Sequence, residues 1–241
     1  MIAYHTAGAG TMPLIFLHGW RSSSAVWNNF MPLFSLEHYT TYALDLPGFG
    51  ASETPRTPYA LKDYADIVKV FIEKKKLNNV ILISHSFGAR VALKVTALYP
   101  NIISKIVLIG SGGARMHAIQ RGTFIVIAKI VKFLFTPSFM RHIRAKIYQK
   151  MDAEDYIAAL ELKETFKNII NEDLMRLFHE ITVPTLIIWG KNDKEAPLSY
   201  ARIMHTMIPQ SQLVILPNAG HFCFVDDPRA CAETINAFLS E

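Results

Sequence analysis

The sequence predicts an α/β fold, with a mostly parallel, doubly wound sheet and one inserted helical segment. Short apolar runs rich in β-branched residues alternate with stretches of helical periodicity toward both ends of the chain. This alternation is typical of strand–helix units whose parallel sheet is covered on both faces. Between the two ends, residues 114 to about 180 contain no convincing strand and are predicted to form several helices. We therefore expect one core domain, residues 1–112 and 181–241, that carries a helical insertion at 113–180.

Seven strands are predicted, each from a short apolar run that ends in turn-forming residues. They lie within the first ten residues and at 14–17, 39–44, 80–83, 105–109, 185–189 and 212–216. Helices are predicted at 22–34 behind a serine cap, at 57–77 behind a Thr-Pro pair, from 89, at 197–207 and from 227.

The length and composition fit one well-packed globule. Of the 241 residues, 51% are hydrophobic, which excludes a disordered chain. The first five residues lack the basic start and apolar run of a secretory signal, and the apolar run at 124–135 is too short to span a bilayer. The cysteines Cys223 and Cys231 have neither zinc-ligand spacing nor a disulfide framework. We expect a cytoplasmic protein with no transmembrane segment, no metal and no cofactor.

Residues 80–90 contain the strongest functional signal in the chain. Four apolar residues predict a buried strand, a turn of small residues follows, and helical spacing begins after Gly88. A serine at the apex of such a turn, here Ser86, is typical of a nucleophile elbow, whose usual pattern is G-x-S-x-G. Ser84 stands at the first glycine position, where a small residue still fits. The helix N-terminus after Ser86 favours developing negative charge.

An acidic residue and a histidine follow Ser86 along the chain. Asp193 comes just beyond the strand at 185–189, and His221 comes beyond the strand at 212–216. Each loop alone is ordinary, because aspartate is a common turn former and a single histidine is common on surfaces. Both lie at the carboxyl ends of strands, where open α/β folds bind ligands. In the order Ser, Asp, His they predict a catalytic triad of Ser86, Asp193 and His221.

With these residues in place, the chain resembles the α/β-hydrolase fold superfamily over nearly its whole length. The resemblance rests on His18-Gly19, Asp45-Leu46-Pro47-Gly48-Phe49-Gly50, the elbow, Trp189-Gly190-x-x-Asp193 and Asn218-Ala219-Gly220-His221. It implies a helical lid and an oxyanion hole formed by the backbone N–H groups of Trp20 and Phe87. The short chain and single lid are similar to small carboxylesterases and to meta-cleavage-product hydrolases. A serine at 86, where other branches carry aspartate, argues against a dehalogenase or an epoxide hydrolase.

Five further residues are candidate pocket residues: His18, Asn29, Ser111, Phe222 and Cys223. We expect His18 to shape the oxyanion loop by hydrogen bonding rather than to act as a second base. Asn29 matches a pocket asparagine of the meta-cleavage-product hydrolases, although a helix-surface amide is the simpler interpretation. Ser111 lacks an ordered base, and Cys223 would need an activated thiolate that the sequence does not provide.

Positive charge is concentrated in the predicted lid. Residues 111–150 contain eight Lys or Arg and no Asp or Glu, which leaves 17 basic and 20 acidic residues elsewhere, a net −3 against a formal total of +5. Three interpretations remain open: a solvated basic face, attraction of an anionic substrate or an acidic carrier protein, and contact with an anionic membrane surface. The basic run contains no recognisable nucleic-acid-binding module, so nucleic acid is not an expected partner.

Together, the triad and the resemblance predict a serine hydrolase. We expect it to cleave small-molecule carboxylic esters of small to medium, largely apolar acyl groups through an acyl-enzyme on Ser86. Hydrolysis of a C–C bond in a diketone-type ring-cleavage product is the alternative reaction. The alternative of another class is a ligand-binding receptor on the same scaffold, and the predicted triad argues against it.

Overall fold

The computed structural model describes residues 2–111 and 161–241, and within them seven strands form one sheet. The strands are β1 Ala3–Ala7, β2 Met12–Leu17, β3 Tyr39–Asp45, β4 Val80–His85, β5 Ile103–Ile109, β6 Thr185–Gly190 and β7 Ser211–Leu216. Their spatial order is β1-β3-β2-β4-β5-β6-β7; β1 is antiparallel to β3, and every other neighbouring pair is parallel. The predicted mostly parallel sheet is confirmed.

Helices cover both faces of this sheet. In the described part of the chain they are α1 Leu61–Lys74, α2 Phe87–Leu98, α3 Lys163–Asn171, α4 Leu198–Met207, α5 Cys223–Asp226 and α6 Pro228–Ser240. Short 3₁₀ helices occur at Ser24–Trp27, Met31–Leu33, Pro100–Ile102 and Met175–Glu180. The helices α1, α2 and α4 contribute to one buried apolar cluster, and α6 with the first two 3₁₀ helices contributes to another.

Strand β4 shows how the sheet separates these two apolar clusters. Successive side chains of a strand point to opposite faces. Leu82 accordingly belongs to the cluster with α1 and α2, and Ile83 belongs to the cluster with α6. Both side chains are fully buried, and each such burial contributes roughly 1.5–3 kcal/mol of transfer free energy. A continuous apolar run is therefore required at 80–83, in the strand that delivers Ser86.

Two predicted helices differ from the structure. The helix predicted at 22–34 is wrong: two 3₁₀ helices replace it, because Pro32 has no N–H for a continuous α-helix. The helix predicted from Thr57 begins instead at Leu61, where Asp63 Oδ2 accepts a hydrogen bond from the Ala60 N–H at 2.7 Å. It ends at Lys74 rather than near residue 77, shortly before Lys76 adopts a positive φ of 55°.

The strand order reverses at β2, which has β3 on one side and β4 on the other. A crevice at the carboxyl ends of the strands beside such a switch point is the usual ligand site of open α/β sheets. The predicted lid at 113–180 is described only over 161–180, where α3 and the Met175–Glu180 helix lie. The basic run that follows Ser111 lies outside the described residues. In the described portion, no helix combines the length and apolar character needed to cross a bilayer.

Candidate active site

Ser86 occupies a tight junction between β4 and α2. Its backbone has φ 50° and ψ −107°, a conformation that costs a non-glycine residue roughly 1–3 kcal/mol. The Ser86 N–H donates to the Ile109 carbonyl oxygen at 3.0 Å, and its own carbonyl accepts from the Arg90 N–H at 3.3 Å. Neighbouring structure therefore holds the strained serine in place at the carboxyl edge of the sheet.

The two small residues around Ser86 satisfy different requirements. A Cβ atom on Gly88 would lie 2.3 Å from the Leu17 carbonyl oxygen, so no side chain fits there. Ser84 is fully buried, and its hydroxyl donates to the Val107 carbonyl oxygen at 2.8 Å. A serine replaces the usual first glycine of the pattern because its hydroxyl has this partner.

Asp193 and His221 lie together at the same carboxyl edge of the sheet as Ser86. His221 Nδ1 lies 2.9 Å from Asp193 Oδ2, and the two side chains are 8% and 1% exposed. The other carboxylate oxygen of Asp193 accepts from the backbone N–H groups of Glu195 and Ala196, both at 2.8 Å. These bonds fix the carboxylate, so that it accepts the Nδ1–H of His221 and leaves Nε2 as the nitrogen that can receive a proton.

His85, the last residue of β4, connects the elbow to the His221 loop. Its Nε2–H donates to the His221 carbonyl oxygen at 3.1 Å, and the two rings lie 4.7 Å apart between centroids. Burial, reinforced by the neighbouring His221, lowers the pKa of His85 to about 3. His85 is thus neutral near neutral pH, with its proton on Nε2.

The Ser86 hydroxyl forms no hydrogen bond with any described residue, His221 included. The Nε2 atom of His221 instead lies 3.7 Å from Glu195 Oε2. The Glu195 side chain is 66% exposed. The hydrogen bond between Asp193 and His221 is formed in this structure, and a hydrogen bond between His221 and Ser86 is not.

Ser86 opens onto a cavity of about 250 Å³. The described residues that line it with Ser86 are Trp20, Phe87, Arg90, Phe166, Ile169 and Ile170. All of them but Ser86 and Arg90 are apolar, and three come from α3. The cavity can therefore hold a small apolar group directly against the serine.

The backbone N–H groups of Trp20 and Phe87 are not used within the described residues. The loop that carries Trp20 packs tightly on the elbow, since a Cβ atom on Gly19 would lie 2.9 Å from His85 Nδ1. His18 holds the loop: Nδ1–H donates to the Gly19 carbonyl at 2.7 Å, and Nε2 accepts from the Leu46 N–H at 3.0 Å. Burial lowers the pKa of His18 to about 4, so this arrangement is that of the neutral ring.

The other candidate pocket residues lie outside the described lining of the Ser86 cavity. Asn29 is exposed between the two 3₁₀ helices, and Phe222 packs against the ring of His85 at 4.7 Å. Ser111 is buried, and its hydroxyl has no partner among the described residues. Cys223 is fully buried, and burial raises the pKa of its thiol to about 12, which excludes a reactive thiolate.

Sequence reasoning missed Arg90 and the residues of α3 that line the cavity. Arg90 stands four residues after Ser86, hence on the same face of α2, and this spacing was the available signal. Its Nη2 donates to the Ile169 and Glu172 carbonyl oxygens at 2.7 and 2.5 Å. Lys94 Nζ lies 2.8 Å from Glu172 Oε1. These contacts fasten the end of α3 to α2 beside Ser86.

The described ranges contain no cluster of three or more His, Cys, Asp or Glu side chains placed to hold a metal ion.

Comparison with known proteins places this geometry in context. The model of the alpha/beta hydrolase fold family matches residues 12–228. The chain is 28% identical over 253 residues to the uncharacterized hydrolase YugF of Bacillus subtilis, covering 98% of this chain and 92% of that protein. It is 26% identical over 263 residues to the 2-hydroxy-6-oxo-6-(2'-aminophenyl)hexa-2,4-dienoic acid hydrolase of Metapseudomonas resinovorans, covering 98% and 87%.

A solved structure gives a similar result. The CarC enzyme, a serine hydrolase involved in carbazole degradation, superposes with a TM-score of 0.76 at 26% identity, over 98% of this chain and 93% of that one.

Proposed function

The chain belongs to the alpha/beta hydrolase fold family, and on that premise we propose that it is a serine hydrolase of carboxylic esters with small to medium, largely apolar acyl groups. Ser86 is the nucleophile, His221 the general base and Asp193 the residue that orients the base. The observation that carries the proposal is the hydrogen bond between Asp193 and His221 at the sheet edge where strained Ser86 lies.

Each residue has a role set by its chemistry. A serine hydroxyl is a weak nucleophile until a base takes its proton. As Ser86 Oγ attacks the ester carbonyl, His221 Nε2 accepts that proton, and the Asp193 carboxylate stabilises the resulting imidazolium through Nδ1–H. His221 then gives the proton to the departing alcohol, and water attacks the acyl-enzyme by the same route. Catalytic hydrogen bonds are often long without substrate. In this step His221 Nε2 leaves the Glu195 carboxylate and forms a hydrogen bond with the Ser86 hydroxyl.

The unused N–H groups of Trp20 and Phe87 stabilise the tetrahedral intermediate. Backbone donors aimed at the oxyanion cost no reorganisation during the reaction, and the loss of one typically lowers the rate about 100- to 1,000-fold. The packing of Gly19 against His85 supports this assignment, because it keeps the Trp20 loop beside Ser86.

The cavity beside Ser86 supports the proposed acyl specificity. Its described volume of about 250 Å³ and its Phe166 and Ile170 walls favour short apolar acyl chains. We expect hydrolysis of p-nitrophenyl acetate and butyrate. The variant Ser86→Ala should lose at least about 10⁴-fold in kcat, whereas Ser111→Ala, a buried serine without a base, should keep it. Turnover that survives Ser86→Ala would contradict the proposal, and no turnover by the wild type would favour a receptor.

Hydrolysis of a C–C bond is the second candidate reaction. It is favoured by the similarity over nearly the full chain to the 2-hydroxy-6-oxo-6-(2'-aminophenyl)hexa-2,4-dienoic acid hydrolase. Ring-cleavage dienoates and p-nitrophenyl esters should be compared at equal enzyme concentration. A kcat/KM higher for the dienoates than for every ester would replace ester cleavage by C–C cleavage, with the same nucleophile.

A further inference from the structure

A second cavity, of about 860 Å³, lies apart from Ser86. It is bounded by β1, by the loop that follows β3 and by the outer side of α1. None of the described residues that line it lines the cavity at Ser86. The two cavities are therefore separate sites.

The walls of this second cavity are largely apolar. Tyr4 of β1 and Phe71 of α1 pack edge to face, with ring centroids 5.1 Å apart. Ile67 and Val70 extend the apolar lining along α1, and Val70 is 43% exposed. Binding cavities of about 300–1,000 Å³ with apolar walls and a few polar groups are typical of small-molecule sites.

Positive charge borders these walls. Arg56, Lys74 and Lys75 line the cavity, and no carboxylate of a described residue forms an ion pair with any of them. Lys75 Nζ donates to the Tyr4 hydroxyl and lies 4.6 Å from the centre of its ring. The Tyr4 contact leaves the charge of Lys75 uncompensated.

The cations of this cavity outnumber its carboxylates. Glu53 and Asp66 line it, against three cations. Asp66 Oδ2 lies 2.7 Å from Lys62 Nζ, and its other oxygen accepts from the Tyr99 hydroxyl. Asp66 is thus already compensated outside the cavity.

We propose that this cavity binds an amphipathic monocarboxylate, such as a fatty acid of medium chain length. The hydrocarbon chain packs against Tyr4, Val70 and Phe71, and the carboxylate pairs with the cations at Lys74 and Lys75. A neutral ligand of the same shape leaves these cations unpaired and binds more weakly. The site is independent of the chemistry at Ser86.

The test is calorimetric titration of the whole protein with decanoate, below its micelle concentration, beside 1-decanol as the uncharged analogue. Val70→Trp fills the cavity from an exposed helix position and should abolish decanoate binding while leaving ester hydrolysis unchanged. Lys74→Gln should weaken binding about two- to fivefold, the effect of one exposed ion pair. Lys69→Gln, which removes a charge from the same helix outside the cavity, is the matched control and should change nothing.

A third variant separates the two cavities. Ile170→Trp fills the cavity at Ser86, so it should lower ester hydrolysis and keep decanoate binding. The proposal is overturned if the wild type binds no decanoate, if decanol binds as tightly, or if Val70→Trp binds decanoate like the wild type. If circular dichroism shows that Val70→Trp does not fold, Lys74→Gln takes its place in the test. Decanoate binding by Lys74→Gln as tight as by the wild type would then overturn the proposal.

Discussion

Asp193 Oδ2 and His221 Nδ1 lie 2.9 Å apart, although 28 residues separate them along the chain. β6 and β7 bring them together, since Gly190 and Leu216 are paired at the ends of these parallel strands. A Cβ atom on Gly190 would lie 2.1 Å from the Gly220 carbonyl oxygen. The glycine therefore allows the close approach of the two loops that carry the aspartate and the histidine.

Replacement of the aspartate by its amide tests this relationship. Asp193→Asn preserves the shape of the side chain but no longer holds the His221 tautomer with a proton on Nδ1. We expect kcat for p-nitrophenyl butyrate to fall by on the order of 10³- to 10⁴-fold, with little change in KM. Asp227→Asn is the control, because asparagine caps a helix as well as aspartate. An Asp193→Asn enzyme within tenfold of the wild type would contradict the assigned role.

His85 is expected to act by positioning the His221 loop. His85→Phe removes the donor to the His221 carbonyl and should lower the free energy of unfolding by about 1–3 kcal/mol. The same substitution should also lower kcat. His85→Gln retains a donor and should recover most of kcat. Because the pKa of His85 is about 3, the pH profile of kcat above about pH 5 should keep its shape in His85→Gln. A changed profile would assign His85 a protonation role instead.

The two buried histidines also make the fold sensitive to acid. Burial lowers the pKa of His18 to about 4, from 6.5. Between these values the unfolded chain binds a proton that the folded chain does not, so stability falls as the pH falls. This contributes about 1.4 kcal/mol per pH unit for each histidine. Urea titrations at several pH values between about pH 7 and pH 4.5 give the free energy of unfolding as a function of pH. The slope of that dependence should be smaller by this amount in His18→Gln than in the wild type. An equal slope would show that His18 is protonated in the folded state.

Substitutions at the two small residues of the elbow, Ser84 and Gly88, should differ in their effect on stability. Ser84→Ala removes one hydrogen bond to Val107 and should lower the free energy of unfolding by about 1 kcal/mol, with activity retained. Gly88→Ala places Cβ against the Leu17 carbonyl and should destabilise much more, by at least about 3 kcal/mol. Denaturant unfolding measures both. Similar effects of the two substitutions would contradict the tight packing at 88.

The sequence allowed the seven strands to be predicted because each is an apolar run bounded by turn-forming residues. Asp193 and His221 could be placed because both follow such strands, and the carboxyl ends of parallel strands share one edge. The helix at 22–34 could not be placed correctly, since its apolar spacing also suits two short 3₁₀ helices. Its side chains Trp27, Phe30 and Phe34 are buried as the spacing requires.

The residues that line the Ser86 cavity could not be predicted from the sequence. The sequence indicates only that Phe166, Ile169 and Ile170 form the apolar face of a helix. Their position beside Ser86 depends on how α3 packs against α2. Arg90 fixes that docking by donating to carbonyl oxygens 79 and 82 residues further along the chain. Periodicity indicates which face of a helix is buried but not which surface buries it.

The central claim, that His221 and Asp193 activate Ser86, is tested most directly by a mechanism-based label. The wild-type protein should react with an alkyl fluorophosphonate to give a single adduct, located at Ser86 by peptide mass spectrometry. His221→Ala should react far more slowly. No adduct, or an adduct at Ser84, Ser111 or Cys223 with Ser86 unmodified, would contradict the account.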